Sequence, residues 1–283
     1  MEGAVRRCGL IGYPVEHSLS PVMQAVAFRE TGIEGAYELW PTADAEVPAR
    51  VAGLRDSAFF GANVTVPHKQ RVMPFLDELS DTARRIGAVN TIVKRDGTLL
   101  GDNTDAHGFA MSVRESGFDV SSESTALILG AGGAARAVIV ALQDIGFARV
   151  EIANRSPERA EALATDLDRG GDVVSIPWGD LETRLPSVDL LINATALGWH
   201  DGEIPLDIAR LGLLAPHATV IDLTYRDTDL LKITRRMGLK AVDGLGMLVH
   251  QGARAFALWT GVEPPIEAMR KAVRAEQERR ASR

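Results

Sequence analysis

Short apolar runs alternate with stretches of helical spacing along the whole chain, and the two halves do so differently. In the first hundred residues, positions 5–11 predict a strand. Ser20-Pro21 then opens a helix, with Ser20 as its cap, Pro21 at the first helical position, and Met23, Val26 and Ala27 at helical spacing. Positions 36–40 and 62–66 predict two more strands, the second stopped by Pro67, and Lys69 is expected at the start of a helix. Positions 91–94 and 98–101 predict a hairpin around Asp96-Gly97. From 125 to 225 the pattern changes. Thr125-Ala126-Leu127-Ile128-Leu129 is a continuous apolar run of the kind buried in parallel sheets. A glycine-rich turn, a helix through Val138, Leu142 and Ile145, and a stop at Gly146 follow. Strands at 150–154, 190–193 and 220–223 and a helix from Pro157 to Leu167 continue the alternation. Repeated strand–helix units predict an α/β fold with a parallel sheet wound by helices on both faces. From about 244 onward the chain reads as helical, with Leu248, Ala255 and Leu258 at helical spacing.

The 283 residues correspond to roughly two domains. With 46% hydrophobic and 24% charged residues the chain is of ordinary globular composition, which excludes disorder, collagen and coiled coil as the main state. The net charge is −7. The segment from Arg270 on holds six basic and two acidic residues, so the remainder is more acidic still, at −11. An acidic body with only 5% aromatics offers neither a basic face for phosphates nor stacking surface, which excludes nucleic acid as the principal partner. The tail Glu276 to Arg283 is expected to be a frayed, solvated helix end. One cysteine, Cys8, excludes an internal disulfide. No run approaches the length of a membrane-spanning helix, and Arg6-Arg7 lead into a short strand rather than a signal-peptide core, so a cytoplasmic home is expected. None of the six histidines has metal-ligand spacing, and no G-x-S-x-G elbow is present. A metal centre and a hydrolase are therefore not expected.

Gly130-Ala131-Gly132-Gly133-Ala134-Ala135 matches G-x-G-x-x-G/A between a strand and a helix. Glycines there permit the tight turn and let backbone N–H groups approach a pyrophosphate at the helix amino terminus. The next strand discriminates between cofactors. An NAD site usually ends that strand with an acidic residue for the ribose hydroxyls. Here it ends Asn154-Arg155-Ser156, with Arg159 one turn on, while Glu151 falls too early, in mid-strand. Two guanidinium groups and a hydroxyl suit a 2′-phosphate, so NADP is favoured over NAD.

Asn63 and Thr65 share one face of their strand, Lys69 follows, and Gly101-Asp102-Asn103-Thr104-Asp105 ends another strand in polar groups. A lysine and a carboxylate beside a nicotinamide could interconvert a carbonyl and an alcohol.

Together these motifs resemble the shikimate/quinate dehydrogenase family. The resemblance runs from about residue 9 to 261. It rests on Ser18-Leu19-Ser20-Pro21, Asn63 through Lys69, Gly87 through Thr91, Asn103-Thr104-Asp105, Gly130 through Ala135, Asn154-Arg155-Ser156, Asn193-Ala194-Thr195, and Gly244 through Val249 with Gln251. It implies two domains with the active site in the cleft between them: a mixed-sheet α/β substrate domain from 1–105 plus 244–283, and a Rossmann-like doubly wound NADP domain from 106–243. It implies that Ser18 and Ser20 bind the substrate carboxylate. Thr65, Asn90, Asp105 and Gln251 would bind ring hydroxyls, with Tyr225 also at the substrate and Asn63 in the same set. Lys69 would be the acid–base residue paired with Asp105. Gly130, Ala131, Gly132, Gly133, Ala134, Asn154, Arg155, Ser156 and Arg159 would hold the cofactor, Leu223 and Gly244 would line its nicotinamide end, and Asp81 would lie near it. The implied reaction is reversible, NADPH-dependent reduction of 3-dehydroshikimate to shikimate by a monomer or homodimer. A broader quinate/shikimate enzyme using NAD, and a non-catalytic sensor on the same fold, are the alternatives. A helix start would disfavour the charge on Lys69 and Asp105 would favour it, with the ion pair expected to dominate. Three positions depart from the family pattern, the last of them His250, which precedes Gln251 where small residues are frequent. Ser156 replaces a threonine, keeping the hydroxyl. Trp199 follows Gly198 where the family commonly has methionine, either repacking the nicotinamide pocket or lying on the surface.

Overall fold

The computed structural model describes residues 5–282. Two compact units divide the chain. One holds the described residues up to Gly108 and from Val249 on, and the other is Phe109–Leu248.

The first unit is built on β1 (Arg6–Gly12), α1 (Ser20–Thr31), β2 (Gly35–Pro41), α2 (Val47–Gly53), β3 (Gly61–Val64), β4 (Glu78–Leu79), α3 (Asp81–Ile86), β5 (Thr91–Arg95) and β6 (Thr98–Asp102). Its six strands lie in the order β2-β1-β3-β5-β6-β4. The β1 strand pairs parallel with β2 and β3, while β5 is antiparallel to both β3 and β6, so the sheet is mixed. The hairpin forms around Asp96-Gly97, both at positive φ as a two-residue turn of this type requires. Ile11, Val64, Ile92 and Leu99 bury one sheet face against Val47, Val51 and Leu54 on and just after α2.

Three expectations are corrected here. Ser20 is the first helical residue of α1 rather than its cap, because the hydroxyl of Ser18 accepts the Ser20 N–H at 3.2 Å and starts the turn two residues earlier. No helix begins at Lys69. Residues 65–75 run through successive turns that end in a short 3-10 segment. The carboxy-terminal tail does not fray before Ala281. Helix α11 (Ile266–Ala281) buries Met269 and Val273, Glu276 binds both Arg279 and Arg280, and Arg280 donates to the His17 carbonyl at 2.8 Å. Arg283 lies outside the described residues. Residues 261–265 separate α11 from α10 (Leu245–Thr260), a break the helical periodicity did not signal.

Arg55 grips Asp77 through two hydrogen bonds of 2.6 and 2.8 Å, and Leu99 N–H donates to the same carboxylate at 2.7 Å. The Arg55 guanidinium first, and then the Leu99 amide, hold the Asp77 carboxyl down to about 2. A carboxyl depressed in the folded state contributes stability above its unfolded value, and that contribution is lost as pH falls toward 2. Arg55→Ala is expected to return Asp77 toward the ordinary carboxylate range. An NMR pH titration of the carboxyl carbon checks it, and an unchanged midpoint would refute the assignment.

Helix α4 (Asp105–Glu115) leads into the second unit. There β7 (Thr125–Leu129), α5 (Gly133–Ile145), β8 (Arg149–Ala153), α6 (Pro157–Leu167), β9 (Val173–Ser175), α7 (Leu181–Arg184), β10 (Leu190–Asn193), α8 (Ile208–Leu211), β11 (Thr219–Asp222), α9 (Asp229–Arg236) and β12 (Lys240–Val242) follow in turn. All six strands are parallel, in the order β12-β11-β10-β7-β8-β9. Strand order reverses on either side of β7, the doubly wound arrangement whose ligands lie beyond the carboxyl ends of the strands. Leu127, Leu129, Leu191 and Val220 anchor one face of this core. Glu151 is wholly buried in β8 and held by Arg149 and Arg184, so it is a structural ion pair rather than a ribose ligand.

Candidate active site

In the mixed-sheet unit, Lys69 and Asp105 come together across 36 positions of sequence. Lys69 Nζ donates to Asp105 Oδ2 at 2.6 Å, with the lysine side chain 18% exposed and the carboxylate 9%. The Lys69 carbonyl accepts from Val89 N–H at 2.8 Å, which fixes the turn that carries it. Asp105 is the first residue of α4, and its own N–H is received by Asn103 Oδ1 at 3.0 Å. The helix start therefore lies under the carboxylate and not under the lysine. Its dipole favours the negative partner, so both effects strengthen the pair instead of opposing each other.

Asn90 is the hub beside it. Its amide donates to Asp105 Oδ1 at 2.8 Å and to Thr104 Oγ1 at 3.0 Å, and its oxygen accepts the Thr104 N–H at 2.7 Å. From there the network continues through the sheet. Asn63 Nδ2 donates to the Asn90 carbonyl at 3.2 Å and to Thr91 Oγ1 at 3.1 Å, and Asn63 Oδ1 accepts from the Tyr37 hydroxyl at 2.9 Å. Tyr37 also hydrogen-bonds the Ser20 side chain, and burial pushes its phenol well above the ordinary range, so it stays a neutral donor. A polar chain thus runs Ser20–Tyr37–Asn63–Asn90–Asp105–Lys69. Both amide hydrogens of Asn63 are engaged within it. Thr65, by contrast, follows β3 half-buried, and its hydroxyl has no partner among the described residues. Gln251 sits half-buried on α10, and Ser18 stands two residues before the α1 start it helps to form. Sequence reasoning missed Tyr37, and gave no role to Thr91, Asn103 and Thr104, although they stand in the motifs it singled out. Asn103-Thr104 was visible as the polar end of a strand, but its partners lie on other strands and no local spacing names them.

In the parallel-sheet unit, the glycine turn joins β7 to α5. Gly130 has φ 108°, and a Cβ there would meet the Ala194 carbonyl at 2.9 Å, so only glycine fits against the turn after β10. Gly132 and Gly133 are exposed, and a Cβ on either would meet nothing within 4 Å. The start of α5 is therefore open around Gly132 and Gly133, and a helix amino terminus left open in this way can receive a phosphate. Beyond β8, Asn154 Nδ2 donates to the Ser156 carbonyl at 2.9 Å and braces the loop. Arg155 and Arg159 are exposed, with no ion-pair partner among the described residues. An acceptor of two negative charges is the group this pair lacks, and a 2′-phosphate fits. At the far end of the strand ends, a Cβ on Gly244 would strike the Leu223 carbonyl at 2.1 Å, so the two chains touch there backbone to backbone. Tyr225 meets Trp199 edge to face at 5.1 Å between centroids. Trp199 is 42% exposed, so it lies partly on the surface with its ring packed against Tyr225. Asp81 belongs to the other unit, fully exposed at the first turn of α3 and paired with Arg84 at 2.9 Å. Among the described residues no group of three or more His, Cys, Asp or Glu side chains could hold a metal ion.

The chain is similar to known proteins over nearly its whole length. Residues 10–92 match the family model for the shikimate dehydrogenase substrate binding domain, 112–198 that for shikimate/quinate 5-dehydrogenase, and 244–274 that for the shikimate 5′-dehydrogenase C-terminal domain. Shikimate dehydrogenase (NADP(+)) of Symbiobacterium thermophilum is 42% identical, over 98% of this chain and 96% of that protein. The corresponding enzyme of Rubrobacter xylanophilus is 44% identical over 98% of both. The crystal structure of shikimate 5-dehydrogenase from Thermus thermophilus, in complex with NADP(H) and shikimate, is 40% identical and superimposes with a TM-score of 0.86, covering 95% of this chain and 99% of that one.

Proposed function

The chain belongs to the shikimate dehydrogenase family, and from that premise we propose that it catalyses the reversible, NADPH-dependent reduction of 3-dehydroshikimate to shikimate, a step toward chorismate and the aromatic amino acids. The observation that carries this reading is the Lys69–Asp105 pair at 2.6 Å, steadied by Asn90 within a buried polar chain. The mixed-sheet unit takes the substrate and the parallel-sheet unit takes NADP, with the functional division drawn at 1–105 plus 244–283 and at 106–243, a few residues from the division by compactness.

NADPH, when bound, supplies the hydride. Lys69 donates its Nζ proton to the substrate oxygen during reduction and recovers it in the reverse direction. Asp105 holds Lys69 and receives a ring hydroxyl. Ser18 and Ser20 bind the substrate carboxylate, with hydroxyls and the α1 amino terminus sharing its charge. Thr65, Asn90, Gln251 and Tyr225 complete the set of neutral donors and acceptors that a polyol acid needs. Asn63 joins the Ser20 end of the site to the Asn90 end. Gly130 through Ala134 cradle the pyrophosphate, and Asn154, Arg155, Ser156 and Arg159 receive the 2′-phosphate. Leu223 and Gly244 line the nicotinamide end. No described helix is long and apolar enough to cross a membrane. We place the enzyme in the cytoplasm as a monomer or homodimer with small molecules as its ligands.

The test is a spectrophotometric rate with shikimate and with quinate, each with NADP and with NAD. Shikimate with NADP is expected to give the highest kcat/KM. Equal rates for quinate with NAD would replace this reading with the broader dehydrogenase, and tight ligand binding without turnover would make the protein a sensor.

A further inference from the structure

Three carboxylates are buried among the described residues. Asp105 faces Lys69, and Glu151 faces Arg149 and Arg184. The third, Asp222, is fully buried at the carboxyl end of β11 and faces no cation among the described residues. Its Oδ1 accepts from Asn193 Nδ2 at 3.1 Å and from Thr224 N–H at 2.9 Å, and its Oδ2 accepts from Thr228 Oγ1 at 2.8 Å. Thr228 Oγ1 in turn receives Leu231 N–H as the cap of α9, so its own proton is the one given to Asp222. Every contact is a donor to the carboxylate and none accepts from it, the arrangement of an ionised group. The charge is solvated by the protein but not neutralised.

Its position gives that charge a use. Asn193 and Asp222 are register partners at the ends of β10 and β11. The Ala194-Thr195 turn beyond Asn193 lies directly against Gly130, and Leu223, beyond Asp222, touches Gly244. Asp222 therefore stands behind the strand ends where a parallel sheet of this kind receives its ligand. The oxidised nicotinamide ring carries a positive charge and the reduced ring none, and a buried charge is little screened by salt.

We propose that the buried charge of Asp222 biases this unit toward NADP+ over NADPH, and so draws the bound equilibrium toward shikimate and oxidised cofactor. The inference rests on the reading of this unit as the NADP site. The test is equilibrium binding of NADP+, NADPH and adenosine 2′,5′-bisphosphate, which lacks the nicotinamide, to the wild type, Asp222→Asn and Thr228→Val. Asp222→Asn is expected to weaken NADP+ about three- to tenfold and leave NADPH and the bisphosphate within about twofold. Thr228→Val, which removes a donor but keeps the charge, is expected to preserve the NADP+ to NADPH ratio. Equal weakening of both cofactors by Asp222→Asn, or no change in either, would overturn the proposal. Should Asp222→Asn not fold, the wild type is compared on NADP+ and on its benzamide counterpart, planar but uncharged. Tighter binding of NADP+ by a similar factor supports the proposal, and equal affinity overturns it. Failure of the wild type to bind the bisphosphate would instead remove the NADP reading itself.

Discussion

Lys69→Ala is expected to lower kcat by roughly 100-fold or more while KM for shikimate changes by less than about threefold, because general acid–base groups contribute on the order of 10²–10⁴ and act only where the proton moves. The split between the two constants is the diagnostic. The Lys69 backbone is held independently of its side chain by the 2.8 Å bond from Val89 N–H, so the turn survives the substitution. Asp105 also keeps its bond from Asn90 at 2.8 Å, and its place at the start of α4 suits a carboxylate left without a lysine. On the proposed reading, the substrate hydroxyls assigned to Asn90 and Asp105 therefore still find both groups in place. Steady-state kinetics with shikimate and NADP measure both constants, and a circular dichroism spectrum establishes that the fold is intact. Retention of turnover within about tenfold, in a folded variant, would remove Lys69 from the acid–base role.

The second large effect concerns the cofactor. Substituting both Arg155 and Arg159 with glutamine is expected to raise the Kd for NADP by about 30- to 100-fold and to leave that for NAD within about twofold. A charge-assisted hydrogen bond to a phosphate contributes about 1.5–3 kcal/mol, and exposure of both side chains reduces what two such bonds deliver to about 2–3 kcal/mol in total. The discrimination arises because neither guanidinium has a protein partner among the described residues, so their loss breaks nothing else in the fold. Calorimetric titration with the two dinucleotides measures the ratio. A parallel loss for NAD would show that the arginines serve the loop and not the 2′-phosphate.

Local chemistry made much of this molecule legible in its sequence. The run Thr125–Leu129 is a strand, Gly146 ends α5 at φ 96°, and Asp96-Gly97 turns the hairpin. Each of these rests on neighbours in sequence: a buried strand needs consecutive apolar side chains, and a left-handed residue needs glycine or a short polar side chain. The glycine turn and the arginines after β8 were readable for the same reason. Errors arose where a local signal had a distant competitor. Ser20 had the sequence of a cap, but the helix starts one residue earlier, with Leu19 at the cap position and the Ser20 N–H already donated to Ser18 Oγ. The residues after Pro67 had the start of a helix, but the turn at Lys69 is committed to Val89 on another segment. The tail from Glu276 had the composition of a solvated end and its described residues from Glu278 on are exposed, yet it stays helical to Ala281, tied by Glu276 to Arg279 and Arg280 and by Arg280 to the His17 carbonyl.

The chain's own order of residues was thus enough to predict an α/β fold and to single out a glycine turn and the arginines after β8 as candidates for a dinucleotide phosphate, because each depends on residues within a turn or a strand of one another, whereas the roles of the lysine and the carboxylate came from the family resemblance. The pairing of Lys69 with Asp105 was implied by the family resemblance and not by any local pattern; tertiary structure alone decided that Asn63 joins Ser20 to Asn90 through Tyr37, and that Asp222 lies buried with no cation beside it among the described residues. Hydrogen bonds and ion pairs act over about 3 Å. Which groups come that close is set by strand order and register across the sheets, and a linear pattern of residues carries no measure of either.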